Sequence, residues 1–329
     1  MRVSILGAGS WGITLASLLY KKGYNILLWE FEPKRAEMLR RERRAEEFLP
    51  GIRIEKGIGI THILKDVVNS DLLIFALPSQ VVRGVAREIG KIKPEIDFVV
   101  SGVKGLEQKT EKRVSEVLKE ELRIKRLVIL SGPSIAYEVI KGTPTSVVAA
   151  SEDIESAEEV QRILSTPYFR VYTSEDVIGV ELGGALKNVI VIASGICDGL
   201  GLGANAKGAL LTRGLAEITR LGKAMGANPL TFAGLSGIGD LITTSFSKYS
   251  RNRYVGEEIG KGRRLKDILS SMVMVAEGVS TSRSVVALSK RYNIEMPISQ
   301  TVYEVLFEGL SPKEGVKRLM ERELKPEIW

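Results

Sequence analysis

RVSILGAGSWG, residues 2–12, is the stretch from which the fold is read. Its first six residues, RVSILG, have strand character, and the glycine pattern GAGSWG at 7–12 then leads into an apolar-periodic helix that stops near Gly23. Strand, glycine turn and helix in that order make a dinucleotide-binding fingerprint. Gly7 permits the tight turn, Gly9 lets backbone approach a pyrophosphate, Gly12 allows close helix packing, and the helix start supplies unpaired N–H donors. A second strand, NILLWE, ends at Glu30, about 20 residues on, where a carboxylate accepts hydrogen bonds from an adenosine ribose. The same charge repels a 2′-phosphate, so Glu30 favours NAD over NADP. Arg35 and Lys34 stand near enough to accommodate NADP, and Phe31 is placed to pack on the adenine. A plain surface charge is the alternative for Glu30.

Outward from this unit, short runs rich in branched residues recur at 71–78 (DLLIFALP), 97–103 (DFVVSGV), 126–133 (RLVILSGP) and 145–151 (TSVVAAS), alternating with charged helical segments. That alternation specifies a mostly parallel sheet with helices on both faces, a Rossmann-type domain whose ligands sit beyond the carboxyl ends of the strands. The strand ends carry turn-forming and small polar residues: Pro78 and Ser79, then GVKGLE at 102–107, then GPS at 132–134. Lys104 adds a cation to that rim, with solvent exposure as its ordinary fate. After YFRVYT at 168–173 the valine-rich alternation fades and long helical patterns take over. The fold class is therefore α/β, with a dinucleotide-binding domain over 1–175 and an all-helical substrate-binding and catalytic domain over 176–329. No Pro/Ser-rich linker intervenes, so the halves are expected to pack closely and share a cleft.

The 329 residues hold 47 Lys and Arg against 40 Asp and Glu, a formal charge of +7 with the signs interspersed. This argues against a nucleic-acid surface while leaving room to steer small anionic substrates. The densest basic run, KRAEMLRRERRAEEF at 34–48, is interleaved with glutamate and reads as a solvated helix face. Cys197 is the only cysteine, which precludes an intrachain disulfide and fits a reducing compartment. The strand-like start lacks a signal core, so a cytoplasmic location is expected. No apolar run is expected to approach the ~20 residues of a membrane span. His62, the only histidine, has no metal-ligand partner in sequence and reads as structural, and no Cys/His cluster points to zinc. Glutamine is scarce beside Lys, Arg and Glu, a balance seen in heat-adapted proteins.

The second half turns on residues 179–214, where Lys187 lies inside a long apolar run. A buried ammonium loses hydration, which disfavours its charge unless an anion or polar ligand meets it. Gly183 and Gly184 share its helical face and leave bare backbone there. Each costs roughly 0.5–1 kcal/mol against alanine, a cost that close approach of a ligand or a neighbouring helix would explain. Helix packing, with Lys187 reaching to water, is the competing reading. SGIGDL at 236–241 puts Asp240 after a glycine-rich turn, where a helix cap is the simplest role. SKYSRNRYVG at 247–256 gathers Lys248, Arg251, Asn252 and Arg253, suited to a phosphate because arginine offers a rigid fork of donors. An exposed basic loop is the alternative.

Taken in order, GAGSWG, SGVKGLE, LSGPSIAYEVIKGTPTSVV, VELGGALKNVIVIASGICDGLGLGANAKGALLTRG, SRNRYVG, VAEGV and EMPISQTVYEVLFEG resemble the bacterial NAD(P)-dependent glycerol-3-phosphate dehydrogenase family almost end to end. The resemblance implies reversible hydride transfer between NAD(P)H and dihydroxyacetone phosphate, giving sn-glycerol 3-phosphate for phospholipid synthesis. By motif, it implies that Ser10 and Trp11 contact the cofactor pyrophosphate and that Lys104, Ala136, Arg251, Val275 and Glu277 complete the cofactor site. Lys104, Gly132 and Ser134 would face a small phosphorylated substrate, and Ser250, Arg251 and Asn252 would take its phosphate. Lys187 would be the proton donor and acceptor, with Asp240 and Lys104 beside it. A homodimer is compatible with the family. Members often carry arginine or histidine just after the second strand, and Glu30 and Phe31 depart from that pattern. Other dehydrogenases of the same architecture, a non-catalytic NAD sensor and an interaction protein are the alternatives. The GALKN block and the arginine loop weigh against the first, the presence of Lys187 and Asp240 against the second, and the glycines at strand ends against the third.

Overall fold

The computed structural model describes residues 1–327. Eight strands, β1 (Arg2–Leu6), β2 (Asn25–Trp29), β3 (Gly59–Thr61), β4 (Leu72–Phe75), β5 (Glu95–Ser101), β6 (Arg123–Ser131), β7 (Thr145–Ala150) and β8 (Phe169–Ser174), form one sheet. Its order is β3-β2-β1-β4-β5-β6-β7-β8. Every pairing is parallel except that of β6 with β7. Between those two strands runs only the five-residue helix Ala136–Ile140, too short to carry the chain back along the sheet. β3 escapes sequence reading because three residues are too few for a period to show. The order reverses at β1, flanked by β2 and β4, which opens a crevice at the carboxyl ends of these strands.

From β8 the chain enters the helix Val177–Leu200, the centre of the second half. Asp176 starts it by accepting the Gly179 N–H at 2.9 Å, and the same carboxylate takes the Thr231 hydroxyl at 2.6 Å. This helix corrects the expectation that no apolar run approaches membrane-spanning length. It has 24 residues, with an 18-residue window of mean hydropathy 1.6, long and apolar enough to cross a bilayer, yet 94% of that window is buried inside the protein. Neighbouring helices supply the cover, above all Arg251–Gly260, which crosses it at backbone contact. A Cβ on Gly195 would stand 2.1 Å from the Arg253 carbonyl oxygen, and one on Gly256 2.0 Å from that of Ile192. Gly183 and Gly184 are explained in the same way, against the Ser236 backbone and the Ser131 side chain. Their bare backbone receives the protein's own elements. Glu181, six residues before Lys187, accepts from the Ser115 N–H at 2.8 Å and hydroxyl at 2.6 Å and so ties the helix to the sheet half.

Candidate active site

One cleft of about 1170 Å³ runs between the two halves. At its sheet end the glycine turn takes the shape its sequence requires. Gly7 has φ of +107°, and a Cβ on Gly12 would fall 1.8 Å from the Gly7 carbonyl oxygen. Gly9 has open space on its exposed side and no side chain caps the helix Ser10–Lys21 behind it, so the first-turn N–H groups are left for an anion. The residues therefore fit a dinucleotide. Trp11 lines the cleft with its ring 6.5 Å from that of Phe169, and its buried indole N–H has no hydrogen-bond partner among the described residues.

Glu30 stands just past β2, and its carboxylate is not free. Arg35 donates to it, and also to the Ala8 carbonyl at 3.0 Å and to Glu47 at 3.0 Å, while its guanidinium lies 4.4 Å from the centre of the Phe48 ring. The basic run at 34–48 is thus only partly the solvated face expected of it. Its first arginine is turned into the cleft, a position that charge interleaving does not show. Phe31 is 77% exposed and meets Trp29 edge-on at 6.1 Å. His62 lies outside the cleft, where its carbonyl accepts the Trp29 indole N–H at 3.1 Å.

At the other end Lys187 is 4% exposed. Its ammonium donates to Asp240 Oδ1 at 2.8 Å and to the Thr244 hydroxyl. Lys104, on the loop after β5, takes Asp240 Oδ2 at 2.8 Å, the Gly132 carbonyl at 2.7 Å and the Ser134 hydroxyl at 3.2 Å. Asp240 therefore joins two cations from opposite halves. A π-helical turn, Leu235–Gly239, delivers it at the start of the helix Asp240–Phe246, and its side chain does not cap that helix. The cap expected from the glycine-rich turn is corrected: the carboxylate is drawn to the lysines instead.

The loop before Arg251–Gly260 completes the site. Ser250 caps the helix by accepting the Arg253 N–H at 3.1 Å. Asn252 is buried, donating to Asn188 Oδ1 and accepting the Gly278 N–H, both at 2.9 Å, and Asn188 in turn donates to the Lys104 carbonyl at 3.0 Å. Arg251 lines the cleft with no hydrogen-bond partner among the described residues, so the basic loop is not simply exposed. Glu277 accepts from the Ser79 N–H at 2.8 Å and hydroxyl at 2.5 Å, while Ala136 and Val275 line the cleft beside it. Gly132 lies behind the lining, its carbonyl held by Lys104. Sequence reading missed Thr244, Asn188 and the inward turn of Arg35. The first was within reach, since Thr244 follows Asp240 by four residues and shares its helical face.

The family profile described as the NAD-dependent glycerol-3-phosphate dehydrogenase N-terminus matches residues 2–157, and that of the C-terminus matches 176–317. The chain belongs to this family. A glycerol-3-phosphate dehydrogenase, NAD(P)+, of Chlorobium limicola is 48% identical over 333 residues, covering 100% of both chains. One from Geobacter sulfurreducens is 48% identical, with 100% of this chain and 99% of the relative covered. Among solved structures, a glycerol-3-phosphate dehydrogenase of Coxiella burnetii superposes with a TM-score of 0.93 at 35% identity, covering 98% and 99% of the two chains. D-mandelate dehydrogenase, at 12% identity and a TM-score of 0.61, shares the fold alone.

Within the family fold the electrostatics of the paired lysines follow from burial. Desolvation draws the Lys187 ammonium down to about 8, assisted by the like charge of Lys104 and opposed by Asp240. Burial by itself pushes Asp240 up, but the two ammonium groups outweigh it and hold the carboxyl below its ordinary value. Burial also lowers Arg251, with Glu277 opposing. The site thus presents a buried lysine able to change charge near neutrality, an aspartate that stays ionised and an arginine awaiting an anion.

Proposed function

We propose that the chain interconverts dihydroxyacetone phosphate and sn-glycerol 3-phosphate, with NAD(H) preferred to NADP(H). The observation that carries this reading is Lys187 on Asp240, facing the cleft that Arg251 also enters with no hydrogen-bond partner among the described residues. A bound nicotinamide cofactor supplies the hydride that reduces the substrate carbonyl, or accepts it in reverse. The chain's own part is the proton. As carbonyl oxygen gains negative charge, the Lys187 ammonium stabilises it and donates to it; neutral Lys187 takes the hydroxyl proton back in the oxidative direction. Asp240 orients that ammonium and favours its charged form, while Lys104 holds the other carboxylate oxygen and adds positive charge at the substrate. Arg251, with the Ser250 hydroxyl and the remaining amide hydrogen of Asn252, takes the phosphate, whose two charges suit a guanidinium fork.

The preference for NAD rests on Glu30, which offers acceptors to ribose hydroxyls and repels a third phosphate, and on Arg35, whose three nitrogens each already donate to Glu30, Glu47 or Ala8. Ser10 and Trp11 would lie at the pyrophosphate, with Glu277, Val275 and Ala136 toward the nicotinamide. We divide the chain at residue 175 into a dinucleotide-binding and a substrate-binding domain. We place the protein in the cytoplasm, as a supplier of glycerol phosphate for phospholipids. The test is nicotinamide absorbance on mixing the protein with dihydroxyacetone phosphate and NADH or NADPH, with unphosphorylated dihydroxyacetone as control. Oxidation is expected only with the phosphate ester and faster with NADH. No change with either cofactor, from protein that binds both, would refute the substrate.

A further inference from the structure

Two tyrosines meet across the cleft at its substrate end. Tyr137 belongs to the helix Ala136–Ile140 of the sheet half, and Tyr249 to the turn that precedes Ser250 in the helical half. Their ring centroids are 4.8 Å apart with the planes tilted by 36°. Each ring also carries a lysine ammonium, Lys141 at 4.3 Å from Tyr137 and Lys248 at 5.4 Å from Tyr249. Both tyrosines line the cleft, and Tyr249 is 42% exposed. The turn itself is lightly held. Ser247 bonds the Thr243 carbonyl, Ser250 bonds the Ser247 carbonyl, and the Tyr249 N–H bonds the Ser247 hydroxyl, all within the same segment. Among the described residues no hydrogen bond runs from 246–249 to the sheet half, so the ring stack is its specific tie there. Other bridges between the halves in the site, Lys104 to Asp240, Asn188 to the Lys104 carbonyl and Ser79 to Glu277, do not involve this turn.

We propose that the Tyr137–Tyr249 stack is a strap that holds the turn 247–250 against the sheet half and thereby preorganises Ser250 and Arg251 for the phosphate. This deepens the reading above and rests on it only in taking Arg251 as the phosphate ligand. The physical basis is that an aromatic pair fixes the turn before the anion arrives, removing an ordering cost from binding. The two lysines lend the strap cation–π attraction and put positive charge at the entrance, where a dianion is drawn in. Tyr137 and Tyr249 are positioning residues, acting through the loop that follows them.

The test uses the whole protein with Tyr249→Ala, Tyr249→Phe, Tyr137→Ala and the double alanine variant, and reads calorimetric binding of inorganic phosphate to the NADH-loaded form beside steady-state kinetics. Tyr249→Ala is expected to weaken phosphate binding and raise KM for dihydroxyacetone phosphate by up to about tenfold, the upper range for an aromatic pair, with kcat and NADH affinity unchanged. Tyr249→Phe keeps the rings together and should restore wild-type values. Tyr137→Ala should match Tyr249→Ala, and the double variant should be no worse than either. Unchanged phosphate affinity in Tyr249→Ala, failure of phenylalanine to restore it, or additive losses in the double variant would each overturn the strap. If wild-type protein binds phosphate yet does not turn over dihydroxyacetone phosphate, the substrate reading falls and the phosphate affinities still judge the strap.

Discussion

Asp240 serves two ammonium groups at once, and from that arrangement the behaviour of Lys187 follows. With its value near 8, the lysine is charged at neutral pH and neutral in mild alkali. Reduction of the ketone needs the charged form as acid, so kcat in that direction should fall as pH rises through about 8. Oxidation needs the neutral form as base, so its rate should climb through the same range and level off above it. Parallel pH profiles decide the point, and coincident curves would remove Lys187 as the titrating group. Lys187→Ala should nearly abolish turnover while cofactor affinity persists. At the other end of the cleft, Glu30→Gln removes the charge that opposes a 2′-phosphate and releases Arg35 from one of its two ion pairs, leaving that with Glu47. We expect NADPH to gain roughly tenfold in affinity relative to NADH, read by quenching of nicotinamide fluorescence. An unaltered ratio would leave Glu30 only the role of holding Arg35. The candidate residues could be singled out in the chain because glycine, lysine and arginine are conspicuous at strand ends and in apolar runs. The inward turn of Arg35 was not legible, because its direction depends on Glu30, Ala8 and Glu47 together.

Among elements, the helix Val177–Leu200 carries Lys187 and Asn188 on one stretch and receives the phosphate-loop helix on another. The two are coupled through glycine. Gly195→Ala drives a methyl group into the Arg253 carbonyl, where backbone lies on both sides and neither rotamer nor side chain can yield. Overpacking of this kind typically costs ~1–3 kcal/mol. The displaced helix would take Arg251 and Asn252 with it. We expect a lower urea midpoint together with a raised KM for the phosphate ester, and a KM left at the wild-type value would uncouple packing from phosphate binding. Composition identified this segment as a buried helix, but not what its glycines were for. Bare backbone is equally suited to a ligand and to another helix, and which one arrives depends on residues some 60 positions away.

Over the whole molecule, charge is arranged in clusters as well as pairs. Arg83 meets Glu107, Glu120 and Glu121, Arg87 shares Glu121, and Lys112 reaches Glu120. Such networks favour stability at high temperature more than isolated pairs do, since the desolvation penalty of ions falls on heating. With the glutamine-poor composition, this leads us to expect a thermal midpoint above the ~45–65 °C usual for mesophile domains. Calorimetry giving a midpoint inside that range would refute it. The parallel sheet with its helices and the dinucleotide turn were legible in the chain, because each is built from neighbours in sequence whose period and glycine spacing are local properties. The antiparallel β7, the engagement of Arg35, the union of Lys104 and Lys187 on one aspartate and the meeting of Tyr137 with Tyr249 were not. The first two depend on how elements pack within the sheet half and the last two on the two halves closing against each other, and separation along the chain shows neither.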